Sequence, residues 1–158
     1  MVKWNSGNKV YIVGGVNDGG FLASTQVLDI ETRDISVLQG QLKIARYTQG
    51  CILLEQDRKL LVAGLIDSAW EATYTMEILD LDAGTWNDAA DMPFTSGGYK
   101  TFPLDGNMYL LRGNGFFYHY NLANDQWDLV TETGPFDGPV HPQYLTIDIN
   151  LASVCQYL

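Results

Sequence analysis

Side chains able to do chemistry are few in this chain, and they are poorly spaced for catalysis. It holds two histidines and two cysteines. His119 sits in the run His119-Tyr120-Asn121-Leu122, which reads as a strand, and His141 stands in Pro139-Val140-His141-Pro142, which reads as a loop. Neither has a neighbour at the spacing that ligands of one zinc ion require, so no metal site is expected. Cys51 falls in the apolar run Cys51-Ile52-Leu53-Leu54, where a thiol packs as a small hydrophobe and no local charge would activate it. No Gly-x-Ser-x-Gly elbow and no phosphate-cradling glycine loop occurs. Asp29, Asp80, Asp82 and Asp91 recur at turns and strand ends, where a carboxylate bonds backbone amides rather than acting as a general acid. Catalytic residues and cofactors are therefore not expected.

The bulk composition narrows the partners. At 158 residues, 46% apolar and 18% charged, the chain has ordinary globular composition and enough length for a core. Nine basic against nineteen acidic residues give a formal charge of -10. Such a surface repels phosphate backbones and anionic headgroups, so nucleic acid and membranes are not expected as partners. No apolar run approaches the roughly 18 residues of a membrane span. The stretch from Met1 to Gly7 has no hydrophobic signal region, and no Asn-x-Ser/Thr acceptor is present. Two cysteines are too few for a disulfide framework, and a reducing, cytoplasmic location is expected.

The elements that would position any site come from a phrase written three times: Val10-Tyr11-Ile12-Val13-Gly14-Gly15, Leu60-Leu61-Val62-Ala63-Gly64-Leu65 and Met108-Tyr109-Leu110-Leu111-Arg112-Gly113. The copies begin 50 and 48 positions apart, a period that marks a propeller or solenoid array. Each phrase follows an apolar strand and a turn: Asn5-Ser6-Gly7-Asn8, Glu55-Gln56-Asp57-Arg58 and Leu104-Asp105-Gly106-Asn107. Ser-Gly or Asp-Gly between apolar runs signals a hairpin. A second hairpin follows, in which Asp29, Asp80 or Asn121 lies between two apolar residues and a large apolar residue stands six positions later: Ile35, Trp86 and Trp127. Four antiparallel strands per repeat make a small twisted sheet that needs a neighbour to cover its faces.

These residues resemble the kelch family of β-propellers, over residues 2 to about 130. Gly14-Gly15 matches the family's glycine pair, while Gly64-Leu65 and Gly113-Asn114 keep its first member. Trp86 and Trp127 stand at the tryptophan position, Met92-Pro93 matches the step between blades, and Leu42 with Arg46 is similar to a degenerate form of that step. The resemblance implies an all-β fold, a partial β-propeller of about three four-stranded antiparallel blades, at roughly 2–40, 41–92 and 93–132. Leu145, Ile147, Ile149 and Leu151 alternate with polar residues, so 140–158 reads as an extra strand or the start of a fourth blade.

Within that frame Gly14, Gly15, Gly64 and Gly113 read as structural, giving positive φ or close approach, and Trp86 and Trp127 as packing between sheets. The loop between second and third strands is long in two repeats, from Val16 to Ser24 and from Ile66 to Thr73, and shrinks to about Asn114-Gly115 in the third. Phe21 and Trp70 fall at about the same point in the long loops. Loop aromatics on a rigid scaffold anchor protein interfaces, and folding back over their own blade is the competing role. Asn17, Asp18 and Asp67 complete the candidate partner-binding set. Arg46 joins it because the kelch pattern often has an arginine where a blade begins; a placed guanidinium can grip a carboxylate, and a structural ion pair is its competing role. Thr95-Ser96-Gly97 has no arginine at the next step, so a basic ring is not expected.

Propellers close rings of roughly four to eight blades, so three repeats imply a partial array or one completed by a second chain. Because the numbering begins within the first strand of the first repeat, no upstream blade or adaptor domain is expected, and an open array is expected to self-associate through exposed blade faces. The function expected is a non-enzymatic protein-interaction module: a kelch-type scaffold, or the receptor half of a ubiquitin-ligase adaptor. By the same resemblance the alternatives are an actin-associated protein or a fragment of a propeller enzyme similar to galactose oxidase or to epithiospecifier proteins.

Overall fold

Alternating apolar and polar residues set out a run of short strands, and the Asp, Asn and Gly residues between them turn the chain back each time. The computed structural model describes residues 2–3, 8–47, 50–54, 56–64, 66–67, 69–94, 99–112 and 115–132. Among these residues the fold is all-β, with no helix. The expected strand 140–158, His141, Gly113 and the Asn5-Ser6-Gly7 and Thr95-Ser96-Gly97 segments lie outside the described residues.

Three four-stranded antiparallel sheets follow one another along the chain. The first pairs β1 (Val2–Lys3), β2 (Lys9–Val13), β5 (Thr25–Asp29) and β6 (Ile35–Val37) in that order. The second pairs β8 (Gly50–Leu54), β9 (Lys59–Ala63), β11 (Met76–Asp80) and β12 (Thr85–Ala89). The third pairs β13 (Tyr99–Leu104), β14 (Asn107–Arg112), β15 (Phe116–Asn121) and β16 (Gln126–Glu132). Among the described residues no sheet closes on itself. Two short pairs occupy the loops: β3 (Val16–Asn17) with β4 (Gly20–Phe21), and β7 (Arg46–Tyr47) with β10 (Ile66–Asp67). Neither pair is signalled by the sequence, in which Val16 to Ser24 and Ile66 to Thr73 read as plain loops.

The second sheet explains its own continuous apolar runs. Successive side chains of a strand point to opposite faces. Cys51, Leu53, Leu60, Val62 and Leu79 face one way and join Tyr11, Val13 and Val27 of the first sheet in one core. Ile52, Leu54, Leu61, Ala63 and Met76 face the other way and join Tyr99, Met108, Leu110 and Tyr120 of the third. Each buried aliphatic side chain contributes about 1.5–3 kcal/mol by leaving water. Linker residues fill the wedges: Leu42 lies in the first core, and Met92 and Phe94 in the second. Trp86 sits in the core shared with the preceding sheet, and Trp127 packs against the core shared with its own preceding sheet.

Cys51 departs from expectation. It is buried in the first core as a disulfide sulfur rather than as an apolar thiol.

The second hairpin of each sheet is built the same way three times. Asp29 Oδ1 accepts from the amides of Glu31 and Thr32, Asp80 Oδ1 from Asp82 and Ala83, and Asn121 Oδ1 from Ala123 and Asn124. Four residues after each of these, the backbone takes positive φ, at Arg33 (65°), Gly84 (68°) and Asp125 (51°). The side-chain oxygen replaces a backbone acceptor and holds the turn that brings the next strand antiparallel. Between β13 and β14, Asp105 and Gly106 both have positive φ, as a two-residue type I′ turn requires.

Candidate interaction site

The site begins at the glycines that end the second strands. Gly14 and Gly64 have φ of 60° and 51°, and their amides donate to Ser24 O and Thr75 O, so the chain leaves the two sheets in the same way. After Gly14 it forms the β3–β4 hairpin, whose tip is set by Asn17 Oδ1 accepting from the Gly19 amide at 2.8 Å. Asp18 is exposed at that tip, and Val16 pairs in register with Phe21. Directly opposed residues share a face, so Val16 and Phe21 form one apolar spot.

After Gly64 the chain forms β10 and then a tight turn. Asp67 Oδ1 accepts from the amides of Ala69 (2.8 Å) and Glu71 (3.2 Å), while the Trp70 amide donates to Asp67 O at 3.0 Å. Trp70 is held at a φ of 62°, a left-handed conformation that is costly for a bulky side chain, and it is 68% exposed.

Strand β7 brings the two loops together. The Gly15 amide donates to Arg46 O and the Arg46 amide to Leu22 O, which lays β7 along the first loop. Its other edge pairs with β10, Arg46 opposite Asp67 and Tyr47 opposite Ile66. Phe21 therefore meets Trp70 edge-on at 4.9 Å between ring centroids, and Tyr47 edge-on at 6.3 Å. This T-shaped arrangement sets the positive edge of one ring against the negative face of another. The two loop aromatics that fall at matching points of the sequence thus touch across two successive sheets.

Arg46 lies beneath this patch, turned inward. Its guanidinium is ion-paired with Glu77, donates through Nη1 to Thr75 O at 2.9 Å and through Nε to Ile44 O at 3.2 Å, and has no exposed surface. In this structure it has the ion-pair role rather than presenting itself to a partner's carboxylate. Glu77 was not legible as a functional position: it is one charge in the apolar strand Met76-Glu77-Ile78-Leu79, and that isolation is the only signal it gives.

Several of the remaining polar residues bind neighbours. His119 bonds Asn107 Oδ1 at 3.2 Å and lies 3.8 Å from Asp128, with its ring beside Tyr109. The Tyr120 hydroxyl donates to Asp125, and burial with that bond raises its pKa above the usual tyrosine value. Asp125 Oδ1 also accepts from the Ala90 amide, and Trp127 Nε1 donates to Ala90 O, so the second linker is stapled to the third sheet. Among the described residues no three His, Cys, Asp or Glu side chains gather as metal ligands would.

No protein-family model matches this chain, and no curated protein matches it either. The kelch resemblance therefore rests on the repeated residues of the sequence alone.

Proposed function

We propose that the chain is an array of kelch-type propeller blades whose loop face binds another protein, without catalysis. The observation that carries this reading is the contact between Phe21 and Trp70: two loops from separate sheets deliver aromatic rings to one surface spot, Trp70 exposed and Phe21 half-buried beneath it, and hydrogen-bonded turns hold them there. An exposed apolar spot on a rigid scaffold is what an interface anchor needs, since aromatics dominate binding energy and rigidity lowers the entropic cost of association. The repeated hairpins, the succession of four-stranded sheets along the chain and the cores they share support the propeller part of the proposal.

Affinity capture with the full chain and with a Phe21→Ser/Trp70→Gly variant of equal stability tests it. The proposal expects specific proteins retained by the wild-type chain and lost by the variant. Identical capture by both would contradict it, as would stoichiometric copper or iron in the purified protein.

A further inference from the structure

The same patch carries information about its partner's chemistry. This inference rests on the interaction reading above and goes one step further, to what the partner presents. The two loops, residues 14–24 and 64–75, hold three carboxylates, Asp18, Asp67 and Glu71, and no lysine or arginine. Asp18 and Glu71 are exposed, on either side of the aromatic rings in the chain: Asp18 at the tip of the hairpin that bears Phe21, and Glu71 next to Trp70. The nearest cation along β7, Arg46, is sealed inside and paired with Glu77, so it does not offset them. The chain as a whole carries -10.

We infer that the Val16–Phe21–Tyr47–Trp70 patch receives an arginine presented by a basic segment of the partner. A guanidinium is flat, weakly hydrated and always charged, so it can lie on an indole face while its N–H groups reach adjacent carboxylates. A lysine would gain the charge term with less stacking, and a carboxylate or phosphate would be repelled. The left-handed backbone at Trp70 adds a second, independent argument. A glycine would fit φ of 62° without strain, yet the position holds the largest side chain, 68% exposed, which contributes little to the core.

Selection of a random dodecapeptide phage library on the immobilised full chain tests this, with each selected peptide then measured by fluorescence anisotropy against wild type and Trp70→Gly. Trp70→Gly suits the left-handed turn and should keep its thermal midpoint, which is checked first. A Glu71→Gln/Asp18→Asn variant separately removes charge and leaves the aromatics. Peptides sharing an arginine, weakened about tenfold or more by Trp70→Gly and by raised salt, and weakened by the charge variant, are the expected result. Peptides that depend on Trp70 but show no arginine preference would overturn this inference and leave the interaction reading standing. Peptides indifferent to Trp70, or no selected peptides, would overturn both.

Discussion

Arg46 and Glu77 form an ion pair sealed between the first two sheets, Nη2 to Oε1 at 2.5 Å, with side chains 0% and 2% exposed. The carboxylate also takes the amides of Lys43 and Ile44, so one buried charge holds the linker that joins the sheets. Removing one member of such a pair leaves the other uncompensated in a poorly solvated place. Glu77→Gln, which keeps the shape, is expected to lower unfolding free energy by about 3–5 kcal/mol in urea denaturation. A loss below about 1 kcal/mol would mean that water reaches the pair.

Gly64 is a packing constraint as well as a turn. A Cβ there would lie 2.3 Å from the Tyr99 hydroxyl, which donates to Ala63 O, and 2.9 Å from the Met92 methyl, while the backbone keeps φ of 51°. Gly64→Ala must displace Tyr99 or the linker, at an expected cost of about 1–3 kcal/mol. Gly15, with φ of 109° but open space around it, is the control for strain alone. Thermal unfolding of both variants separates crowding from strain: the account expects Gly64→Ala to lose the Tyr99 bond and Gly15→Ala to leave it intact.

Asp80 gives a pH signature. The Lys59 ammonium bonded to its carboxylate, with the amides of Ala83 and Asp82, holds its pKa at about 2, against 3.8 ordinarily. Because the folded value is the lower one, this carboxylate's contribution to stability is complete above 3.8 and fades as pH falls towards 2. Carbon-detected NMR titration should show the depressed value, and Lys59→Met should move it upward. An unchanged midpoint in that variant would assign the shift to the turn amides instead.

Much of this architecture was legible because it is local. Asp29, Asp80 and Asn121 announce their turns through side chains that bond amides two and three residues away, and Asp105-Gly106 announces its hairpin through the φ signs it tolerates. The alternating burial of Cys51-Ile52-Leu53-Leu54 was visible only as an apolar run, since which face meets which sheet depends on the stacking. Phe21 and Trp70 could be matched by position, but their contact is made by β7, whose two-residue pairing with β10 leaves no periodicity to read. Arg46 stood out by its place in the repeat, and its inward direction is set by Glu77, 31 residues away in sequence. A single sequence carries no signal for a partner at that range.

The edge strands of the first and third sheets predict association. Ile35 and Val37 of β6 are 63% and 60% exposed, and Leu129 and Val130 of β16 are about half exposed. Apolar strands at sheet edges invite pairing with another chain. Sedimentation velocity across a concentration series is expected to show a dimer or larger species, weakened by Ile35→Lys/Val37→Lys. A monomer at every concentration would count against it.

Native-state hydrogen exchange puts the stacked-sheet arrangement to the most direct test. If each sheet shields the next, the middle one, covered on both faces, must open least often. The slowest amides are then predicted in Leu60–Ala63 and Met76–Asp80, ahead of the equivalent inner strands Lys9–Val13 and Phe116–Asn121. Equal protection in all three sheets, or the slowest exchange in the first or third, would contradict the arrangement on which the loop site depends.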